Sequence, residues 1–195
     1  MYMNLLLSLG SLIFLISSVY FLYSSKKRFN SAFFVSFITL ISYLIMLEGS
    51  FIVSELLWTR WIGYAVSCSL LIFVIAKRIG LSHFKQVTVI FLNIIVMVTG
   101  ALSSLNTDEF KILFFVIGAV AYCILLFEIF KSKSKKLKPI APFILYGWSA
   151  FPIVFILSNE GLNLISSIIS VLLYLILDII TKVVFYHKND LGTKE

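Results

Sequence analysis

The chain has 195 residues, of which 61% are apolar and only 13% charged, and its mean hydropathy is +1.06. Soluble domains carry about a quarter charged residues, so this composition excludes an ordinary water-soluble globule, a disordered chain and a nucleic-acid-binding chain. The formal charge of +7 does not argue for a polyanion partner, because the basic residues stand in short clusters between long apolar runs.

In chain order those runs give seven candidate spans: 3–24, 30–48, 56–76, 86–105, 110–130, 139–157 and 162–186. Each approaches the roughly 20 apolar residues that cross a bilayer as a helix. Their apolarity is continuous rather than alternating, which excludes a transmembrane β-barrel. Short connections make sequential helices antiparallel neighbours. The expected fold is all-α, a seven-transmembrane-helix bundle forming one domain over 1–195, multi-pass in the cell membrane with the lipid bilayer as its surroundings. The two cysteines, Cys68 and Cys123, fall inside apolar runs, so they are expected to be reduced, with no disulfide and no metal-ligand spacing.

The first span has no side-chain charge before it, whereas a secretory signal begins with a basic region. Lys26, Lys27 and Arg28 follow it instead, as expected of a retained helix with an extracellular N-terminus. Lys77, Arg78 and Lys85 follow span three, Lys131, Lys133, Lys135, Lys136 and Lys138 follow span five, and Lys188 and Lys194 follow span seven. The alternate loops carry Glu48, Glu55, Asp108, Glu109 and Glu160, with Lys111 at one edge. Cytoplasmic loops collect Lys and Arg, so the C-terminus is expected to be cytoplasmic.

Three charged residues lie within spans: Arg60, Asp178 and Lys182. Each costs about 2.5–3.5 kcal/mol on insertion scales, and such residues face the bundle interior. Asp178 and Lys182 are four apart and share a helix face. Spacing alone leaves two readings: a structural ion pair with Lys182 reaching the cytoplasmic surface, or a functional pair.

Span six carries Trp148-Ser149-Ala150-Phe151-Pro152, followed by Ser158-Asn159-Glu160-Gly161, and span seven carries Leu177-Asp178-Ile179-Ile180-Thr181-Lys182. Trp and Pro in a membrane helix are in themselves packing and a kink. The combined string resembles the microbial rhodopsins, whose sixth helix has W-S-x-Y/F-P and whose seventh has L-D-x-x-x-K. The match runs from about 143 to 186 and extends to span three through Arg60-Trp61-Ile62-Gly63-Tyr64-Ala65-Val66-Ser67.

The resemblance implies all-trans retinal held by Lys182 as a protonated Schiff base, with Asp178 as its counterion and Arg60 organising the outer side through water. It implies an aromatic pocket at Tyr64, Trp148 and Phe151, beside Pro152. Phe151 stands where the family commonly has Tyr, so one hydroxyl near Asp178 is expected to be lost. Outward pumps carry a carboxylate where this chain has Gly63, and often a second one where it has Val74. Ser67 and Cys68 with a lone Asp178 look like the schizorhodopsins and related short inward proton pumps, although Gly63 and Val74 depart from that group's usual aromatic and Glu. Arg60-Trp61-x-x-Tyr64-x-x-Ser67 also echoes the heliorhodopsins, but their orientation is opposite and that assignment is set aside.

The expected function is a light-driven inward proton pump: a transporter, not an enzyme. The proton would leave Lys182 by a short hydrated cytoplasmic path, with Glu128 as the acidic candidate there, and be replaced from outside past Glu160, Arg60 and Asp178. Both Glu160 and Glu128 can equally be read as solvated helix-end charges. The alternatives are a photosensor, a light-gated or anion-transporting rhodopsin with chloride beside Gly63, and a retinal-free structural membrane protein. The family implies a homo-oligomer, in many members a trimer.

Overall fold

The computed structural model describes residues 2–24, 30–49, 53–106 and 109–189, with the side chains of 53–58 excepted. Lys26, Lys27, Arg28, Asp108, Lys194 and the side chain of Glu55, which enter the orientation argument, lie outside the described residues. Seven helical segments appear where apolar runs do: α1 (Tyr2–Ser24), α2 (Ser31–Glu48), α3 (Val53–Arg78), α4 (His83–Leu105), α5 (Glu109–Lys131), α6 (Phe143–Leu157) and α7 (Ser167–Asn189). No strand occurs among the described residues.

Local chemistry sets the ends. Asn30 caps α2, its side-chain oxygen accepting the Phe33 N–H at 2.7 Å, which satisfies an otherwise orphaned donor. Gly80, at φ +80°, closes α3, and the Leu81 N–H reaches back to the Ala76 carbonyl at 3.0 Å. That left-handed turn suits glycine, which has no Cβ to clash. Within the spans, hydroxyls of Ser11, Ser18, Thr39, Ser42, Thr99 and Thr181 donate to carbonyls four residues earlier. Polar groups in hydrocarbon must find such internal partners.

Helices six and seven differ from the sequence expectation in where they start and in their regularity. Helix seven begins at Ser167 rather than 162, because 158–166 fold into a turn. Ser158 donates its hydroxyl to the Phe155 carbonyl, and the Asn163 N–H returns to the Ser158 carbonyl at 2.8 Å. Helices six and seven are also not uniform α-helix. Phe143–Trp148 and Ile179–Val184 are π-helical and touch each other. Pro152 has no N–H for the Trp148 carbonyl, and the widened turn lies immediately upstream.

Each helix from α1 to α5 packs on the next, α6 on α7, and α7 returns to α1. Apolar burial does not drive helices together in lipid, so close approach and side-chain bonds must. Between α5 and α6 the link runs through side chains: Phe115 stacks on Phe155 with centroids 5.6 Å apart, and the Tyr122 hydroxyl meets Ser149 Oγ at 3.0 Å. The outward faces, such as Ile112, Val116, Val120 and Phe127 on α5, are exposed and apolar, as lipid contact requires. Lys85 pairs with Glu128 at 3.5 Å, and Arg78 donates to the Asn189 carbonyl at 2.6 Å. The basic ends of α3, α5 and α7 therefore share one end of the bundle with the start of α4.

Candidate retinal site and proton path

All three charges expected inside the spans are buried. Lys182 Nζ lies 2.8 Å from Asp178 Oδ1, and both side chains are 1% exposed. The reading in which Lys182 reaches the surface is therefore corrected: its ammonium turns inward. It stands 4.4 Å from the Tyr64 ring centroid, a cation–π contact. The contact to Oδ1 is an ion pair without an aligned hydrogen bond, which leaves Nζ with unused donor capacity.

Asp178 is held from two other helices. The hydroxyls of Tyr43 on α2 and Tyr64 on α3 both donate to its Oδ2 at 3.0 Å. Phe151 brings no hydroxyl to Asp178, and the two it receives come from α2 and α3. Tyr43 escaped the sequence reading. Its signal was there: Ser36, Thr39, Ser42 and Tyr43 form a buried polar stripe along an apolar span.

A cavity of about 190 Å³ opens beside Lys182, walled by Tyr64, Cys68, Trp148, Phe151, Pro152 and residues of α4 and α5. Phe151 meets Tyr64 edge-on with centroids 5.5 Å apart. Trp61, also on the wall, presses on Gly100 so closely that a Cβ there would collide with its ring.

Gly63 and Ser67 stand apart from this cavity. A Cβ at Gly63 would overlap the Ser42 side chain, so glycine is required for the approach of α2 to α3. The volume beside Gly63 on that face is taken by Ser42. The Ser67 hydroxyl is spent on the Gly63 carbonyl at 2.7 Å.

Towards the end of the bundle away from the basic cluster, Arg60 acts by direct contact, not through water alone. Its Nη1 donates to Glu160 Oε1 at 2.6 Å, with side chains 5% and 1% exposed. Its guanidinium stacks over Tyr174 at 4.2 Å. Ser104 donates to Glu160 Oε2 at 2.8 Å, and the Glu160 N–H donates to Ser158 Oγ. The solvated reading of Glu160 is thus overturned. Glu128 keeps it, being a partly exposed partner of Lys85. At the basic end of the bundle, where the sequence reading places a short hydrated path, Leu71, Ile75, Ile144, Phe185 and Tyr186 form part of a buried apolar cluster.

A family model described as bacteriorhodopsin-like protein matches residues 1–186. The chain belongs to the bacteriorhodopsin-like family. Its fold superposes on schizorhodopsin 4 with a TM-score of 0.87 and 36% identity, covering 95% of this chain and 98% of that one. A cyanorhodopsin from the cyanobacterium Calothrix sp. NIES-2098 gives 0.86 at 22% identity, covering 99% and 96%. A light-driven proton pump from Leptosphaeria maculans gives 0.86 at 18%, covering 95% and 92%. The last two establish the fold alone. No curated protein is a significant match.

This rhodopsin is therefore a multi-pass membrane protein of a retinal-binding family, and the family together with its 36% identical neighbour supports a light-driven ion transporter. Its residues fit the chromophore. A buried amine with unused hydrogen-bonding capacity borders an aromatic-walled cavity, and a polyene needs flat apolar walls.

Proposed function

We propose that this rhodopsin is a light-driven inward proton pump, folded as a single domain over 1–195, with all-trans retinal on Lys182 and Asp178 as the sole counterion. The observation that carries this is the asymmetry around Lys182. One carboxylate stands beside Nζ, on α7 itself, and α3 has Gly63 and Val74 at the two positions where a relay would need acids.

When bound, retinal supplies a light-driven isomerisation that redirects the N–H carried by Lys182 Nζ. The protein's own groups decide where that proton goes. The Tyr43 and Tyr64 hydroxyls hold Oδ2 of Asp178 and keep its charge in place. They stabilise the carboxylate and so oppose transfer of the proton onto it. Neither Gly63 nor the engaged Ser67 hydroxyl can accept the proton on α3. It departs towards the basic end of the bundle, where the Leu71–Ile75–Phe185 cluster must part to admit it. Arg60 and Glu160 lie on the opposite side of Asp178, and Glu160 is the uptake group. The grouping of Lys77, Arg78, Lys85 and Lys131 supports a cytoplasmic location for the exit end.

The test is a pH electrode in a weakly buffered suspension of cells making the pigment. Illumination is expected to alkalinise the medium, and a protonophore to abolish the change. Lys182→Ala is expected to be colourless and silent. Acidification removed by protonophore overturns the inward direction, a change enhanced by protonophore means another ion, and no change means a photosensor.

A further inference from the structure

We infer that Ser104 on α4 is a positioning residue whose rotating hydroxyl lets Glu160 gain and lose a proton without any heavy atom moving. The inference rests on the inward reading above, in which Glu160 takes up protons, and adds how a buried, ion-paired carboxyl can do so.

The argument is a count of hydrogens. Ser104 Oγ lies 2.8 Å from Glu160 Oε2, 2.9 Å from the Gly100 carbonyl oxygen, and 2.9 Å from Trp61 Nε1. Indole N–H only donates, so Trp61 occupies one lone pair of Oγ. A serine hydroxyl has one hydrogen and a second lone pair, yet two acceptors stand within reach. With Glu160 ionised, the hydroxyl hydrogen points to Oε2. With Glu160 protonated at Oε2, the carboxyl donates to Oγ, and the hydroxyl hydrogen turns to the Gly100 carbonyl. Every polar atom keeps a partner in both states. A buried donor or acceptor left unpaired costs roughly 1–3 kcal/mol, and this arrangement avoids that penalty on either side of the transfer. Glu160 Oε1 stays with Arg60 at 2.6 Å throughout.

The surroundings add no competing acid. Among the described residues, the charged and titratable groups facing Glu160 are Arg60 from α3 and Tyr174 from α7. α4 presents Ser104, and its own turn presents Ser158. Trp61 ties α3 to the same hydroxyl, so oxygen position is fixed while hydrogen direction is free.

The experiment is light-minus-dark infrared difference spectroscopy of the purified pigment, paired with the pH dependence of light-driven proton uptake. Wild type is expected to show a carboxyl C=O change that Glu160→Gln removes. Ser104→Ala is expected to shift that band and to change the pH profile of uptake, because the two protonation states lose hydrogen bonds of unequal strength. Ser104→Thr keeps a hydroxyl and is expected to restore both. In the Glu160→Gln background Ser104→Ala is expected to change nothing further. A wild-type spectrum without a Glu160 carboxyl change overturns the inference even if the alanine variant fails to form pigment. So does Ser104→Ala with the wild-type band and pH profile. The electrode measurement separates the two readings: inward pumping with silent Ser104 variants sinks only this inference, whereas outward acidification sinks the direction.

Discussion

Asp178 divides its two oxygens between two tasks: Oδ1 faces Lys182, and Oδ2 takes the hydroxyls of Tyr43 and Tyr64. Removing one partner of such a buried pair leaves an uncompensated charge, at a cost of about 3–5 kcal/mol. Asp178→Asn is therefore expected to lose its visible colour near neutral pH in chloride-free buffer, moving to the near ultraviolet or failing to fold, as absorption spectra of the purified protein would show. A stable visible pigment under those conditions contradicts the sole-counterion assignment. A pigment coloured only with chloride shows an anion standing in for the carboxylate. At this scale the sequence was partly legible. Charges in a hydrocarbon span announce themselves by their cost, so Arg60, Asp178 and Lys182 could be picked out one by one. Tyr43 and Ser104 were harder: Tyr43 shows only as part of a polar stripe on α2, a serine hydroxyl in a helix usually bonds its own backbone, and only the fold reveals which hydroxyls reach across.

Between elements, the approach of α2 to α3 decides what chemistry α3 can host. Ser42 occupies the volume that a side chain at residue 63 would need. Installing a carboxylate by Gly63→Asp is expected to destabilise the bundle by about 1–3 kcal/mol, the usual cost of overpacking, rather than to create an outward relay. Gly63→Asp combined with Ser42→Gly is expected to recover part of that loss, measured as the thermal midpoint of the detergent-solubilised pigment. Equal midpoints for wild type and Gly63→Asp contradict the packing account. The helices themselves were readable from apolar run length, since a span must satisfy its backbone internally. Their irregularities were not. The π-helical turns at Phe143–Trp148 and Ile179–Val184 arise where α6 and α7 meet, and such turns cluster at functional sites. Nothing in the apolar pattern distinguishes them from regular helix. The late start of α7 likewise depends on bonds made by Ser158, invisible as a string of letters.

At the scale of the molecule, the two buried ion pairs among the described residues each centre a polar island, Lys182–Asp178–Tyr43–Tyr64 and Arg60–Glu160–Ser104–Trp61, with an apolar cluster sealing the basic end. That asymmetry, with acids towards one end and a dry plug at the other, is the physical content of the inward reading. The gathering of Lys and Arg at one end was legible in the loops, and the ion pairs were foreshadowed by single residues. The dry basic end was not, because Leu71, Ile75 and Phe185 look like any other span residues until α3 and α7 are brought together. The most direct test is the sign of the photocurrent at zero voltage, with symmetric, chloride-free solutions on the two sides of the membrane. The account expects an inward current that vanishes in Lys182→Ala. An outward current, or a current that requires chloride, would contradict it.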